Sequence, residues 1–479
     1  MYKIKKLKSL ISNRKTWIVG GYIRDIFLGK TTKDIDFATN GNTKKIAQAF
    51  ADKNKGSFVV LDDFNRIYRV IIDDEIYDFS KIQGKNIYDD LARRDFTINA
   101  MAIKLAENGE WKVESNNLSN NLIDPFGGLK DLKNKIVKCT SEKNLTDDPL
   151  RLLRAYRFAG QLNFKIEPKT EKFIKKCSPY LKNISNERIQ NEILLIFELA
   201  DSYTTIMKIY KSNLLKEIIP ELVKTKNIAK CYYAKMGLLG HSFDVLKMLE
   251  KFYNTDFKNV FPKFHKKISA HLEEKISKTT KRKTLLKLAA LLHDIGKPKS
   301  AKKIGGRLRF FEHEDRGCDI INIIGKRLKF SNNEINYLKI LIKHHMRIGN
   351  LTSAEKLTDK AAWRFFRDLE DNATDLIILS VSDAYTYPKG RARTLHKIIA
   401  NRLLNKFYRQ RKKIIPKKIL NGFEVMKILK IPESPIVGKI LKELEEAQVL
   451  KKIKTKSEAE KFIKKCFAKS FKDVIVAKI

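Results

Sequence analysis

Two aspartates one residue apart, Asp34 and Asp36, have the spacing in this sequence that points most directly to chemistry. In the run DIDF they are predicted to lie on a β-strand, where side chains two positions apart project from the same face. Carboxylates that meet at one point repel each other unless a cation lies between them. Because carboxylate oxygens are typical ligands of Mg²⁺, we expect these two side chains to hold a pair of Mg²⁺ ions.

A glycine pair and an arginine precede the aspartates. Gly20 and Gly21 allow backbone N–H groups to approach a bulky anion, and Arg24 adds a planar fork of donors for phosphate oxygens. A triphosphate fits this arrangement, and two metal ions would support an in-line displacement at its α-phosphate. A surface turn with solvated acids is the alternative, since two spaced aspartates alone are a weak motif.

The whole block, VGGYIRDIFLGKTTKDIDFAT (residues 19–39), resembles the active-site motif of the polymerase β-type nucleotidyltransferases. The resemblance is to the branch that contains bacterial CCA-adding enzymes and poly(A) polymerases. LARRDFTINAMA (residues 91–102) resembles the second motif of that family, which implies contacts with the nucleotide sugar and phosphates for Arg94, Asp95 and Asn99. A helix cap with surface cations is the alternative for this block.

A third stretch, DDPLRLLRAYRFAGQLNF, is predicted to begin a helix at Asp147 or Asp148. Asp148, Arg151 and Arg154 then lie near one face. An aspartate accepts and an arginine donates, which complements the donor–acceptor order on the edges of cytosine and adenine. Asp148 with Arg151 would therefore bind CTP or ATP and reject UTP and GTP. A solvated acid–base pair is the alternative.

That stretch resembles the fourth family motif, EDxxR, in which the Asp and Arg select the base; here Asp147 replaces the Glu. Segment 123–140 resembles the flexible third motif, although its two glycines also suit an ordinary turn. Segment 185–197 resembles the fifth, in which Glu187 and Arg188 support the neck helix without touching substrate. Five such blocks in order imply nucleotide addition to an RNA 3′ end.

The second half of the chain has histidines at the ends of apolar segments, most clearly in LLHDIGKP. Imidazoles and carboxylates from separate helices suit a borderline divalent ion. LLHDIGKP resembles the signature of the HD phosphohydrolase superfamily, which implies a site for a metal such as Ni²⁺ or Mn²⁺. Its implied ligands are His241, His293, Asp294 and Asp383, with His313 and His345 as candidates for a second ion. A degenerate, purely structural helical module is the alternative.

Charge and composition are consistent with a nucleic-acid enzyme. The 479 residues include 98 Lys and Arg against 55 Asp and Glu, a net charge of +43, and such a field attracts polyanions. Five scattered cysteines without a CxxC pair suit a reducing compartment, and no apolar run is long enough to span a membrane. We expect a cytoplasmic protein that binds tRNA, CTP and ATP but neither DNA nor membranes, and the oligomeric state stays open.

The predicted fold class is α+β: a small mixed α/β nucleotidyltransferase head followed by a mainly helical neck, an HD domain and a C-terminal helical region. Runs at 57–63, 66–72 and 75–80 are predicted strands of the head. The last would bring Asp78 near the two aspartates, as a third carboxylate or as a solvated edge residue. The expected domains are 1–140 (head), 141–230 (neck and body), 231–400 (HD) and 401–479 (basic tRNA-binding region).

The predicted activity is untemplated addition of C, C and A to the tRNA 3′ end, with phosphohydrolysis by the HD domain as a further hypothesis. A poly(A) polymerase, or an enzyme that adds only A or only C, is the nearest alternative because the head motifs are shared. A metal-dependent phosphohydrolase and a non-catalytic RNA-binding protein are alternatives from other classes. The HD domain favours CCA addition by family analogy alone.

Overall fold

The computed structural model describes residues 15–105, 121–230, 232, 236–353, 357–414 and 418–476. The basic N-terminal segment 1–14, Cys231 and part of the basic run 401–418 therefore lie outside the described residues. The chain forms two compact units, residues 1–220 and 221–479. This division is coarser than the four predicted domains, whose boundaries stay a prediction.

A seven-stranded mixed sheet is the centre of the N-terminal unit, with strand order β3-β4-β5-β2-β1-β6-β7. β2 pairs in parallel with β5 and antiparallel with β1, and β6 also pairs antiparallel with β1. The strands are β1 (Thr16–Val19), β2 (Asp34–Thr39), β3 (Ser57–Asp62), β4 (Ile67–Ile72), β5 (Glu75–Lys81), β6 (Ala102–Lys104) and β7 (Leu122–Ile123). The predicted strands at 57–63, 66–72 and 75–80 are thereby confirmed.

The core of this sheet explains why β2 is fixed in position. Phe37 on β2 stacks on Phe79 of β5 with ring centroids 4.9 Å apart, and Phe50 from helix Thr43–Asn54 packs on the same ring. All three rings are fully buried. Each contributes roughly 2 kcal/mol of hydrophobic stabilisation, so the apolar half of β2 holds its polar beginning, Asp34 and Asp36, in place.

Helices make up the rest of the N-terminal unit. They are Gly21–Phe27, Thr43–Asn54, Ile87–Ala92, Gly128–Lys133, Glu142–Asp147, Leu150–Leu162, Pro168–Cys177, Asn186–Glu198, Ser202–Lys211 and Leu214–Ile218, with 3₁₀ turns at Thr97–Asn99 and Ser178–Asn183 and short strands β8 (Ile136–Val137) and β9 (Lys165–Ile166). The predicted head with a helical continuation is thus confirmed. The helix expected from Asp147 begins at Leu150 instead, because Asp147 ends the preceding helix.

The C-terminal unit is almost entirely helical. Its helices are Pro220–Val223, Gly237–Lys251, Phe257–Val260, His265–Glu273, Arg282–Leu292, Lys297–Ser300, His313–Arg327, Asn332–His344, Arg347–Ser353, Asp359–Leu369, Ala373–Ala384, Arg391–Ile414, Gly422–Leu429, Pro435–Val449 and Lys456–Val476. One π turn (Phe252–Asp256) and two 3₁₀ turns (Lys224–Asn227, Glu370–Asn372) join them, and β10 (Ala301–Ile304) pairs antiparallel with β11 (Arg307–Phe310).

The last three helices share a hydrophobic cluster of their own, which includes Val425, Ile440 and Ile463. This is the compact C-terminal helical region that the sequence predicts. Among the described residues, no helix has the length and apolar character that crossing a membrane requires.

Candidate active site and metal centre

A cavity of about 560 Å³ lies in the N-terminal unit, at the edge of the sheet where β2 begins. Its volume falls in the range of small-ligand sites. It brings together every head residue that the sequence predicts for metal and nucleotide binding: Gly20, Gly21, Arg24, Asp34, Asp36, Arg94, Asp95, Asn99, Asp148, Arg151 and Arg154. These residues come from parts of the chain more than a hundred positions apart, so the fold creates the site.

The two aspartates are the first and third residues of β2, and their negative charges repel each other. Burial raises the pKa of Asp36 to about 6, and the nearby Asp78 and Asp34 carboxylates add to this rise against the opposing effect of Arg94. Burial and Asp78 also raise the pKa of Asp34. Raised carboxylate pKa values report negative charge without enough compensation, which is the environment that a divalent cation would neutralise. The donor set therefore fits Mg²⁺.

Asp78 lies beside Asp36 in the register of the parallel pair β2–β5, as the sequence predicts if the two strands pair. It is neither a solvated edge residue nor a third open ligand, because Arg69 of β4 donates two hydrogen bonds to it, at 2.8 and 2.7 Å. Asp78 therefore contributes negative charge to the metal carboxylates while its own oxygens are occupied.

Gly20 must be glycine for two reasons. Its φ of 76° lies in the left-handed region that side chains disfavour. A Cβ atom there would lie 2.8 Å from Nη1 of Arg94 and 3.2 Å from Oδ2 of Asp36. The glycine therefore lets a cation and a metal carboxylate approach the same backbone turn.

A chain of hydrogen bonds holds the phosphate-side cations in place. Arg24 donates to Oδ1 of Asn99 at 2.8 Å, and Asn99 donates to Oδ1 of Asp95 at 3.1 Å. Arg154 donates two bonds to Oδ2 of Asp95, at 2.9 and 2.7 Å. Burial of Asp95 would raise its pKa, but Arg154 and Asn99 outweigh burial and hold the pKa below its usual value. These four side chains form one preorganised unit.

The segment that resembles the third motif packs directly on this unit. A Cβ atom on Gly128 would lie 2.2 Å from the carbonyl oxygen of Thr97. Thr97 also donates to Asp131 at 2.7 Å, and Asp124 accepts from the backbone of Gly128 and of Leu129. Gly128 is therefore a close-packing glycine rather than part of an ordinary turn.

The base-selecting pair predicted from the sequence has a further partner. Arg188 donates to Oδ2 of Asp148 at 2.9 Å, whereas Nε of Arg151 is 3.9 Å from the same oxygen. Arg151 instead donates to the carbonyl oxygens of Arg93 and Asn144, at 2.9 and 3.2 Å. Arg188 therefore lines the cavity, although the sequence places it away from substrate.

Further lining residues were not predicted from the sequence, among them Arg157 and Phe158. The Phe158 ring is surrounded by three guanidinium groups, with Arg157 at 4.3 Å from the ring centre and Arg24 and Arg154 each at 5.2 Å. Arg157 extends the three-residue spacing from Arg151 through Arg154, which is the signal that could have found it. This wall of the cavity is suited to anionic phosphates.

A second site, in the C-terminal unit, is built from side chains that come from five helices and their ends. Two groups of potential metal ligands occur among the described residues: His241, His293 and Asp294, and Asp294, His313 and His345. Asp383 adjoins the first group, with Oδ1 at 3.2 Å from Nε2 of His241. All six predicted HD residues therefore converge.

Three of the imidazoles are oriented in the same way. His293, His313 and His345 each direct Nδ1 to the backbone carbonyl three residues earlier, at 2.9, 2.7 and 2.7 Å. An Nδ1–H that donates to a carbonyl leaves the lone pair on Nε2, which is the usual tautomer of a metal-binding histidine. The Nε2 atoms of His313 and His345 lie 3.2 Å apart.

Asp294 belongs to both groups, since Oδ2 is 3.2 Å from Nε2 of His293 and Oδ1 is 3.3 Å from Nε2 of His345. Burial alone would raise its pKa, but His293 and Lys297 outweigh burial and hold the pKa well below its usual value. Nε2 of His293, Oδ1 of Asp294 and Oδ1 of Asp383 are buried without a hydrogen-bond partner among the described residues. Nitrogen and oxygen atoms that are buried without a hydrogen-bond partner are suited to coordinate divalent ions.

One buried carboxylate, Asp375, joins three helices that carry these ligands. It accepts from Arg282 at 2.9 Å and from Tyr337 at 2.7 Å. Arg282 begins the helix that precedes His293, Tyr337 lies on the helix that precedes His345, and Asp375 shares a helix with Asp383. The geometry of the metal groups therefore depends on a polar core some distance from the ligands.

Family models match segments in both units of the chain. The chain matches models of the Poly A polymerase head domain (residues 16–138), the "Probable RNA and SrmB- binding site of polymerase A" (163–225) and the HD domain (238–387). The fold and sites thus define a nucleotidyltransferase joined to an HD domain.

Two similar proteins extend over nearly the whole chain. The A-adding tRNA nucleotidyltransferase of Deinococcus radiodurans is 28% identical over 94% of each chain. The CC-adding tRNA nucleotidyltransferase of Geobacter sulfurreducens is 26% identical over 94% of this chain and 91% of that protein. A Thermotoga maritima CCA-adding enzyme complexed with tRNA shares the fold, with a TM-score of 0.59 and 22% identity over 97% of this chain and 94% of that one. The chain therefore carries a Poly A polymerase head domain and an HD domain, and it resembles tRNA nucleotidyltransferases over nearly its whole length.

Proposed function

We propose that the N-terminal unit adds C, C and A to the 3′ end of tRNA from CTP and ATP. The observation that carries this proposal is the single cavity that holds a carboxylate pair, a set of arginines and a donor–acceptor pair together. Solved CCA-adding enzymes of this fold with ATP and with CTP support it. Each of the three groups serves one part of a nucleoside triphosphate.

In the proposed reaction, the tRNA 3′-hydroxyl oxygen attacks the α-phosphorus and the bond to pyrophosphate breaks. Asp34 and Asp36 would hold Mg²⁺, which would lower the pKa of the attacking hydroxyl and offset the negative charge of the leaving pyrophosphate. Arg24 and Arg154 bind phosphate oxygens from fixed positions, because Asn99 and Asp95 already orient them. Preorganised cations of this kind lower the barrier without reorganising during the reaction.

Base selection falls to Asp148 and Arg151. The carboxylate accepts from the exocyclic amino group of cytosine or adenine, and the guanidinium donates to the adjacent ring nitrogen. Arg151 must give up a backbone carbonyl to do so, whereas Arg188 keeps one oxygen of Asp148 fixed. UTP and GTP present the reverse order and would leave buried polar groups unpaired, which is the costly outcome.

The number of nucleotides added is decided by extension of defined tRNA ends. The full-length relatives named above are called A-adding and CC-adding, so purified protein with Mg²⁺ should be given tRNA lacking CCA and tRNA ending in CC, with CTP and ATP separately and together. Growth by C, C and A with arrest supports the proposal. Growth of the CC end alone would make the chain an A-adding enzyme, growth by CC alone a CC-adding enzyme, and long adenosine tails a poly(A) polymerase.

The buried metal ligands favour a second activity, hydrolysis of phosphoesters by the C-terminal unit. Metal-bound water ionises near neutral pH, and the ligand set suits Ni²⁺ or Mn²⁺. The test is phosphate release from an RNA with a 2′,3′-cyclic or 3′-phosphate end. We expect the His293→Ala variant to release no phosphate and the His344→Ala variant to release it as the wild type does, because His344 is outside both ligand groups. No release from the wild type would end this proposal.

A cytoplasmic location is part of this proposal, since tRNA is matured there and free thiols persist there. Cys139, Cys177 and Cys318 are free thiols. A non-catalytic RNA-binding protein would leave every tRNA end unchanged in the extension experiment. Growth of any tRNA end would therefore exclude that alternative.

A further inference from the structure

A short basic hairpin interrupts the metal-binding helices between Asp294 and His313. It consists of β10 and β11 joined by Gly305 and Gly306, whose φ values of 56° and 74° suit a tight two-residue turn. We call residues 301–310 the basic hairpin. No third strand from the described part of the chain joins this two-stranded sheet, and such a hairpin is marginally stable alone. Its composition therefore points to a use.

The two faces of the basic hairpin differ in character. Cross-strand pairing places Lys302 opposite Arg309 and Ile304 opposite Arg307, and side chains two apart share a face. These four residues are exposed and make up the outer face. The other face carries Leu308 and Phe310, both partly buried, with exposed Lys303 opposite Leu308 and exposed Ala301 opposite Phe310.

The outer face lacks internal charge compensation. Two cations directly opposite each other on paired strands repel, and here Arg307 adds a third. No acidic residue occurs between Asp294 and Glu312. A bound polyanion would relieve this repulsion and release counterions. Exposed Ile304, and Phe311 with 62% of its surface exposed, offer apolar surfaces beside the cations.

The base of the basic hairpin contacts the metal site through Phe310. Nζ of Lys297 lies 2.5 Å from Oδ2 of Asp294 and 5.6 Å from the centre of the Phe310 ring. The carbonyl oxygen of Phe310 bonds Nδ1 of His313 at 2.7 Å. A strand bound along the hairpin would therefore be held next to the metal site.

We propose that the outer face of the basic hairpin binds an RNA backbone, so that the HD site acts on a phosphate-terminated RNA strand in preference to a free mononucleotide. This inference rests on the hydrolase activity proposed above. Alternating cations and exposed apolar side chains suit a single-stranded nucleic acid, whose phosphates and bases they would contact in turn. Three cations with one apolar residue between them are too polar to insert into a membrane.

The first experiment compares two substrates of the full-length protein. Wild type and a combined variant, Lys302→Ser with Arg307→Ser and Arg309→Ser, are assayed on 2′,3′-cyclic AMP and on a short RNA with a 2′,3′-cyclic phosphate end. The variant is expected to raise KM for the RNA about tenfold and to reduce the salt dependence by about two phosphate contacts. Its kcat, its kinetics on cyclic AMP and its metal content should match wild type.

Two control variants distinguish the loss of positive charge on the hairpin from damage to its structure. A variant that lacks three exposed lysines elsewhere in the unit, Lys258→Ser with Lys266→Ser and Lys326→Ser, should show unchanged kinetics on both substrates. Exchange of Arg307 and Arg309 for lysine should restore the KM for RNA because the charge is kept. An unchanged KM for RNA in the serine variant, or an equal change for cyclic AMP, would overturn the proposal while the hydrolase activity stands.

A binding readout keeps the two proposals distinct. A photoreactive amino acid at position 304 should crosslink labelled RNA in the wild type and not after the serine substitutions. Crosslinking without hydrolysis of either substrate would remove the hydrolase and retain RNA binding by the hairpin. Absence of a crosslink overturns the RNA proposal, and hairpin-dependent binding to phosphatidylglycerol vesicles in that case would assign the face to a membrane surface.

Discussion

The two metal-binding regions of this chain have opposite designs. Asp34 and Asp36 border an open cavity that six arginines also line, whereas His293 and Asp294 are 1% and 2% exposed. An open site can exchange a metal–nucleotide complex at every turnover. A buried site would retain its ions, so we expect one metal to arrive with substrate and the other to be a resident part of the fold.

The charges near the carboxylates show the same contrast. Asp36 has a pKa raised to about 6 because burial and other acids surround it. Asp294 has a pKa held well below its usual value because imidazoles and Lys297 outweigh burial. The carboxylate pair of the head lacks enough neighbouring positive charge, which a bound cation would supply, whereas Asp294 of the HD site already has Lys297 beside it.

The largest expected effect is a loss of nucleotide addition at the head site that leaves the HD site intact. Asp36→Ala is expected to lower nucleotide addition by about 10³-fold or more, since a metal ligand acts directly on the transition state. Binding of tRNA, metal content of the C-terminal unit and phosphate release should be unchanged. Asp52→Ala, an exposed aspartate of the same unit, is the control. Turnover of the Asp36 variant near wild type would contradict the metal role.

The reverse experiment concerns the shared ligand of the buried site. Asp294→Asn is expected to remove the metal of both ligand groups, whereas His345→Ala should affect one group only. Metal analysis of the purified protein measures this loss. The midpoint temperature of thermal unfolding should also fall, because a bound ion stabilises the fold. His344→Ala should retain full metal content. Equal metal loss from the two cluster variants would show that the groups are not separable.

The pKa contrast predicts a stability difference that depends on pH. Since the pKa of Asp36 rises from 3.8 to about 6 on folding, its ionisation destabilises the metal-free fold, and the penalty grows as the pH rises through that range. Asp36→Asn should therefore stabilise the N-terminal unit by about 2–3 kcal/mol at pH 8 in chelator and by little at pH 4.

Hydrogen exchange of β2 and β5 measures this stability locally. Addition of Mg²⁺ should restore the wild type toward the level of the variant, because the cation neutralises the same charge. Exchange rates that are equal in the two proteins at pH 8 would show that the Asp36 charge is already compensated.

The smallest expected effect concerns base selection in the open site. Arg188→Met should leave CTP and ATP addition within a few fold but raise relative incorporation of UTP and GTP about tenfold, since about 1.4 kcal/mol of discrimination is lost when Asp148 can rotate. Competition between nucleotides on one tRNA end measures this ratio. Lys172→Met, an exposed cation of the same unit, is the control, and unchanged selectivity would return Arg188 to a structural role.

Local chemistry made much of both sites predictable from the sequence. The alternation in DIDF places Asp34 and Asp36 on one strand face, and the glycine pair before them indicates a close approach to an anion. His293 and Asp294 are equally recognisable because they end an apolar helix. In each case the functional residues and the pattern that positions them lie within a few residues of each other.

Partners from distant segments could not be predicted in this way. The pairing of Arg69 with Asp78 requires the β4–β5 register, and Arg188 reaches Asp148 only because two helices pack. Asp375 joins three helices through Arg282 and Tyr337, yet nothing near it in the sequence marks it as polar core. Ion pairs of this kind depend on tertiary packing, which a single sequence does not encode locally.

The spread of the cavity residues along the chain has a consequence for synthesis. Asp36 leaves the ribosome early, but the cavity needs Arg188, which follows on the order of ten seconds later at ordinary rates of translation. Its last lining residue still precedes the first HD ligand, His241. During translation, all the residues of the nucleotide cavity are therefore made before the first residue of the buried metal centre.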